Sequence, residues 1–303
     1  MHLEEQTHKL LDKYKILPQR QKGQNFLIDE EVLEKIVLAA ELKKEDQVLE
    51  IGPGLGVLTR ELVLCAGRVV SVELDKKLIW AVKKELKEFK NLEILEGDIL
   101  RFQISDPSAS SGQVLRFDPL QLPLGKGEGT KYKLVANLPY NITSIVLRKF
   151  LENDNRPELM VLMVQKEVGE RVVARPGEMS LLALSVQFYA QPEIVSLVSK
   201  NSFWPAPEVD SAIIRIRPFS SEEIKNRLGE ELDEKMFFRI ARIGFSARRK
   251  QLQNNLANGL KIDNEKIKEI LAKLKINPLA RAQDLSVDLW LELAREVYRL
   301  LPK

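Results

Sequence analysis

Gln47-Val48-Leu49-Glu50-Ile51-Gly52-Pro53-Gly54-Leu55-Gly56 is the stretch on which the fold turns. A short apolar run passes into three glycines spaced two apart, and a helical pattern opens at Leu55 and continues to Cys65. A strand that leads through a glycine turn into a helix is the first unit of a parallel sheet covered by helices. Working outward, the same alternation repeats. Short apolar runs at 69–73, 92–95, 134–136, 159–164, 193–198 and 212–216 complete a count of seven strands. Helical periodicity lies between them at 76–89, 144–151 and 179–189, and upstream Asp29 can cap a helix carrying Val32, Leu33, Ile36, Val37 and Ala40 on one face. The predicted class is α/β, a Rossmann-like seven-stranded sheet.

Beyond Ser220 no strand-like run remains. Helices are expected at 233–244, 249–257, 264–273 and 287–300, the last with Ser286 as N-cap. This predicts two domains, 1–219 and a small all-helical 220–303. Residues 1–23 read as a basic N-terminal arm, and 103–131, with Ser105, Ser108, Ser110 and Ser111 and no periodicity, as an excursion loop.

Composition removes several classes of function. The chain has 303 residues, 47 Lys and Arg against 44 Asp and Glu, and one cysteine, Cys65. A disulfide framework is excluded, and with His2 and His8 the only histidines, so are Cys/His zinc sites and histidine triads. No metal is expected. No apolar run approaches the roughly 20 residues of a membrane span, so the expectation is a cytoplasmic protein without membrane attachment, by default a monomer. The net charge of +3 conceals two unopposed basic runs: Lys13, Lys15, Arg20 and Lys22, then Arg239, Arg242, Arg248, Arg249, Lys250 and Lys261. Either they form a face for a polyanion, or they are solvated helix surfaces.

The glycine spacing selects the ligand. A dinucleotide turn would need its third glycine at position 57, which is Val57. E-x-G-x-G-x-G, here Glu50, Gly52, Gly54 and Gly56, instead resembles motif I of S-adenosylmethionine-dependent methyltransferases. Glu73, at the end of the second strand and followed by Leu74, is placed to accept from both ribose hydroxyls of such a cofactor. Asp98, followed by Ile99 after the third strand, could accept from the adenine amine or could merely cap a helix.

Asn137-Leu138-Pro139-Tyr140 ends the fourth strand on the same sheet edge. An exocyclic amine is a poor nucleophile while its lone pair is delocalised into the ring. Two acceptors, the Asn137 side-chain oxygen and the Leu138 carbonyl, can bind its two N–H groups and free that lone pair for in-line transfer. Pro139 keeps Leu138 out of helical conformation, and Tyr140 can stack on the base. The same four residues could instead be a simple turn.

Taken in order, these segments resemble the ribosomal RNA adenine dimethyltransferase family, from Gln24 nearly to the C-terminus. Gln24-Asn25-Phe26-Leu27 is similar to its QNFL segment, which implies cofactor contacts from Gln24, Asn25 and Leu27. Asn141-Ile142, Gln165-Lys166-Glu167-Val168, Val209-Asp210-Ser211-Ala212 and the 245–256 stretch (FSARRKQLQNNL) also match family signatures. Phe203-Trp204-Pro205-Ala206-Pro207 resembles the F-x-P-P-P loop, with Ala206 replacing a proline; the resemblance implies that Phe203 and Tyr140 sandwich the target base, the alternative being a core-packing Phe203. The implied activity is dimethylation at N6 of two adjacent adenosines near the 3′ end of 16S (small-subunit) rRNA within a 30S-like assembly intermediate. Four S-adenosylmethionine would become four S-adenosylhomocysteine. Lys22, Arg248, Arg249 and Lys250 would contact RNA. Two alternatives are a resistance-type 23S rRNA methyltransferase and a mainly non-enzymatic assembly factor; Leu138 speaks against DNA adenine methylation, where a proline usually stands.

Overall fold

The computed structural model describes residues 2–19, 23–104, 114–115 and 131–301. Its first half contains α1 (Leu3–Tyr14), β1 (Phe26–Leu27), α2 (Glu30–Ala39), β2 (Gln47–Ile51), α3 (Val57–Cys65), β3 (Arg68–Glu73), α4 (Lys76–Glu85), β4 (Leu92–Glu96), β5 (Gln103–Ile104) and β6 (Val114–Leu115). There follow β7 (Lys133–Asn137), α5 (Thr143–Leu151), β8 (Leu159–Gln165), α6 (Lys166–Val172), α7 (Leu181–Tyr189), β9 (Ala190–Val198), β10 (Phe203–Trp204) and β11 (Ser211–Pro218). The remaining helices are α8 (Ser221–Leu228), α9 (Glu234–Gly244), α10 (Leu252–Leu260), α11 (Asn264–Lys273) and α12 (Val287–Arg299).

Seven strands form one sheet in the order β4-β3-β2-β7-β8-β11-β9. From β4 to β8 the pairing is parallel, and β11 runs antiparallel to β8. The chain leaves β2 toward β3 and β4, then returns on the other side of β2 as β7. That reversal opens a crevice at the carboxyl ends of β2 and β7, where open α/β sheets bind ligands. Strands buried on both faces explain the continuous apolar runs: all five residues of β2 are buried, including Glu50. Asp29 caps α2 and Ser286 caps α12, each accepting backbone N–H bonds.

Beyond the short elements β1, β10, α6 and α8, for which no element is expected, three features depart from the expected organisation. Part of the N-terminal arm is α1, amphipathic through Leu3, Thr7 and Leu11; its apolar positions are too few to stand out among charged neighbours. Within 103–131, β5 pairs parallel with β6, and the rest of that excursion, except Lys131, lies outside the described residues.

The third concerns domain limits. The chain divides into one compact unit of Met1–Gly169 with Pro192–Pro218 and a second of Glu170–Gln191 with Phe219–Lys303. The break after Pro218 lies beside the expected one, but 170–191 groups with the helical unit rather than with 1–219. The reason is aromatic: Phe188 and Tyr189 of α7 stack on Phe237 and Phe238 of α9, with ring centroids 4.7 and 5.6 Å apart. The Tyr189 hydroxyl donates to Glu234 at 2.7 Å, and Arg227 donates to the carbonyls of Gln187 and Phe188.

Candidate active site

The turn after β2 folds on glycines held in the left-handed region, Gly52 at φ +69° and Gly54 at φ +58°. A Cβ at Gly54 would lie 3.4 Å from the Phe26 ring, so β1 covers the turn closely. Beneath this cover a cleft of about 350 Å³ runs along the carboxyl ends of β2, β3, β4 and β7. Of the residues expected to hold a cofactor, Gln24, Asn25, Leu27, Glu50, Gly52, Gly54, Glu73, Leu74, Asp98, Ile99 and Asn137 all line it. Gly56 does not. It caps the start of α3 at φ +84°, where a Cβ would come within 3.3 Å of Val82, so it serves packing of α3 on α4.

Glu50 is 1% exposed. Its Oε2 accepts from Ser71 Oγ at 2.6 Å and Thr59 Oγ1 at 2.8 Å, while Oε1 is buried without a hydrogen-bond partner among the described residues. Burial pushes its carboxyl up to about 7, against the two hydroxyl donors, with Glu73 adding repulsion. Glu73 is also raised, again by burial, and is opposed by the backbone amides of Asp75, Leu74 and Gly54. Its Oε1 already accepts from the N–H groups of Leu74 at 2.7 Å and Asp75 at 2.9 Å. The carboxylate is thereby oriented, at the expense of one of the two oxygens the sequence reading assigned to ribose. Asp98 behaves in part as a cap, accepting from Leu100 N at 2.9 Å, yet still faces the cleft.

Asn137, Leu138, Pro139 and Tyr140 line the same cleft, with Pro139 beside the glycine turn: a Cβ at Gly52 would lie 3.9 Å from its Cδ. Asn137 Nδ2 donates to the Asn25 carbonyl at 3.4 Å, which leaves the side-chain oxygen as the acceptor. The Leu138 side chain is buried and its N–H donates to the Met163 carbonyl on β8 at 3.1 Å, pinning the backbone. Pro139 is extended at φ −56°, ψ 127° and closes against Gly23, where a Cβ would meet it at 3.3 Å. The Tyr140 hydroxyl shares a 2.6 Å hydrogen bond with Ser211 Oγ, and burial pushes its phenol up. The ring is therefore fixed in place by the first residue of β11.

The expected Phe203 stack is corrected. Phe203 is 2% exposed and packs in the core with Leu27, Val32 and Ile36. The β1–β10 register sets Phe203 opposite Leu27 and Trp204 opposite Phe26, so Phe203 holds β1 against the sheet instead of lining the cleft. Gln24 is likewise engaged internally, accepting from Gln19 N at 2.9 Å and donating to Asp75 at 3.5 Å. Lys149 was not anticipated: its ammonium donates to the Leu100 carbonyl at 3.2 Å, bracing the loop that carries Asp98.

In the helical unit, Arg248, Arg249 and Lys250 are exposed and sit in the turn between α9 and α10, not on a helix. Asn255 organises that turn, its Nδ2 donating to the carbonyls of Gly244 at 2.7 Å and Ala247 at 3.1 Å. Lys22 lies outside the described residues. Among the described residues no cluster of three or more His, Cys, Asp or Glu could hold a metal, and no helix is long and apolar enough to cross a membrane.

Residues 18–298 match the family model described as ribosomal RNA adenine dimethylase. A Dehalococcoides mccartyi protein named ribosomal RNA small subunit methyltransferase A is 44% identical over 285 residues, 94% of this chain and 90% of that protein. The Clostridium botulinum protein of the same name is 36% identical over 297 residues, 97% and 99% of the two chains. A solved dimethyladenosine transferase from Plasmodium falciparum superposes with a TM-score of 0.69 at 27% identity, over 88% of this chain and 95% of that one. The 23S rRNA methyltransferase ErmE, at TM-score 0.65 and 24% identity, shares the fold over 90% of this chain and 99% of its own. With a match of this length on both sequence and fold, the chain belongs to the ribosomal RNA adenine dimethylase family.

Proposed function

We propose that this enzyme transfers methyl groups from S-adenosylmethionine to N6 of two adjacent adenosines near the 3′ end of 16S rRNA, within a small-subunit assembly intermediate in the cytoplasm. The observation that carries the reading is that Asn137-Leu138-Pro139-Tyr140 line one cleft together with the glycine turn and Glu73.

The residues present fit the cofactor. Its ammonium group matches the unpartnered buried Oε1 of Glu50, and its ribose matches the remaining capacity of the oriented Glu73 carboxylate. Leu74 and Ile99 supply apolar surface for the adenine, with Asp98 beside them. When bound, the cofactor supplies an electrophilic methyl group on a sulfonium. Asn137 Oδ1 and the Leu138 carbonyl accept the two N–H bonds of the target amine, which localises its lone pair and aims it into the cleft. Asn25 holds the Asn137 amide in that sense, and Pro139 holds the carbonyl extended. Tyr140 presents a ring fixed by Ser211 for stacking on the base. No histidine base is required, because the amine becomes positively charged on methylation and its proton then leaves to water. Arg248, Arg249 and Lys250 supply exposed positive charge for ribosomal phosphates.

The test is methyl transfer from labelled S-adenosylmethionine to unmethylated small subunits, naked small-subunit RNA and naked large-subunit RNA, with nucleoside analysis. Dimethyladenosine in the small subunit alone is expected. Label in naked large-subunit RNA would replace the substrate, and tight subunit binding without label would replace the chemistry.

A further inference from the structure

The exposed face of α4 carries an arrangement that the methyl-transfer site does not use. Trp80 lies at its centre, 55% exposed, with Lys76, Lys77, Lys83 and Lys84 at −4, −3, +3 and +4, all exposed. On a helix these are the four positions that surround a residue on its own face. The opposite face, Leu78, Ile79, Ala81 and Val82, is buried. Lys84 Nζ stands 5.9 Å from the Trp80 ring centroid. Of the four lysines only Lys76 has a carboxylate partner among the described residues, Glu96 at 3.2 Å, and both are well exposed.

The indole is also held in place. Tyr14 of α1 meets it edge to face, ring centroids 5.1 Å apart at 90°, and the Tyr14 hydroxyl is itself tied to Glu85. A solvated lysine face does not call for a tryptophan at its centre, and four clustered lysines repel one another. A flat π surface already fixed in orientation and flanked by Lys77, Lys83 and Lys84, none with a carboxylate partner among the described residues, is complementary to a base and its flanking phosphates.

We propose that the Trp80 face of α4 is a second RNA-binding site, on which an unpaired ribosomal RNA base stacks on Trp80 while Lys77, Lys83 and Lys84 contact phosphates. The choice of RNA as occupant rests on the rRNA methyltransferase reading. The site is separate from the target-base wall at Asn137–Tyr140, so it serves to dock the substrate, not to react with it.

The test uses the full chain and an unstructured RNA about 12 nucleotides long, within the usual site sizes for single-stranded binding. Trp80→Ala should weaken binding about 5- to 150-fold, the equivalent of one lost base stack, without changing the salt dependence. Lys77→Gln with Lys84→Gln should reduce the slope of log affinity against log salt by about 1.4, or about 0.7 per lost phosphate contact. Binding of S-adenosylhomocysteine, which does not pass through this face, should be unchanged in every variant and reports that the unit is folded. Unchanged RNA affinity in Trp80→Ala, or an unchanged salt slope in the lysine variant, overturns the proposal. So does Trp80-dependent binding to vesicles of phosphatidylserine and phosphatidylcholine, or Trp80-dependent self-association, with RNA affinity intact. Methyl transfer to small subunits is measured in parallel: wild-type activity with no Trp80 effect refutes this site alone, and absent wild-type activity refutes the functional reading.

Discussion

Glu50 is the residue whose replacement tests the site most sharply, because its burial sets stability against ligand binding. Its folded-state carboxyl sits near 7 against an ordinary value of 4.5. A carboxyl raised on folding contributes stability that is fully present below about pH 4.5 and is lost as pH rises through about 7. The difference between the two values, at 1.36 kcal/mol per decade, amounts to about 3 kcal/mol by pH 8. Glutamine has the same shape and still offers an oxygen to Ser71 and Thr59, but it does not ionise. Glu50→Gln should therefore match wild type near pH 4.5 and exceed it by about 3 kcal/mol at pH 8. Urea unfolding at pH 4.5, 6 and 8 reads this directly. The variant should at the same time bind S-adenosylhomocysteine more weakly at pH 8, having lost the carboxylate that meets its ammonium. An equal stability difference at all three pH values would refute the assignment of the raised value to Glu50. Undiminished cofactor affinity would refute the role given to its free oxygen.

Other substitutions separate chemistry from packing. Asn137→Ala should lower the methyl-transfer rate roughly 100- to 1000-fold, the usual effect of losing one transition-state hydrogen bond, in single-turnover assays. Its S-adenosylhomocysteine affinity should fall by no more than about tenfold, one neutral hydrogen bond. Phe203→Ala should destabilise by about 3–5 kcal/mol as a core cavity in denaturant titration; a change in substrate KM without loss of stability would restore the stacking role that its burial denies it. Asn255→Ala strands the carbonyls of Gly244 and Ala247, and should cost about 2–4 kcal/mol in the helical unit and weaken subunit binding through the Arg248–Lys250 turn.

The cleft was legible because its residues follow strands in order. A fully buried parallel strand is mostly apolar, so β2, β3 and β7 announce themselves, and the groups at or just past their carboxyl ends share one sheet edge whatever the details of packing. Glu50, Gly52, Gly54, Glu73, Asp98 and Asn137, expected at the site on this reasoning, all line the cleft. The amphipathic helices of the second unit are readable for a similar local reason, but a boundary set where strand-like runs end keeps 170–191 with 1–219, whereas its aromatic packing on α9 groups it with the helical unit.

What only the tertiary structure decided depends on partners far apart in the chain. Phe203 and Leu27 meet across 176 positions through a two-residue pairing, too short to leave a periodic trace, and that register turns the phenyl ring into the core. The raised carboxyl of Glu50 follows from burial on β2 and cannot be inferred from its spacing to the glycines. Gly56 carries the same letter as Gly54, yet one meets Val82 of α4 and the other the Phe26 ring. The lysines around Trp80 are a pattern of sequence, but the tyrosine that fixes the indole comes from α1. Local chemistry and strand order are written in neighbouring residues; the face a side chain presents at a loop or short bridge is set by which distant segment packs against it.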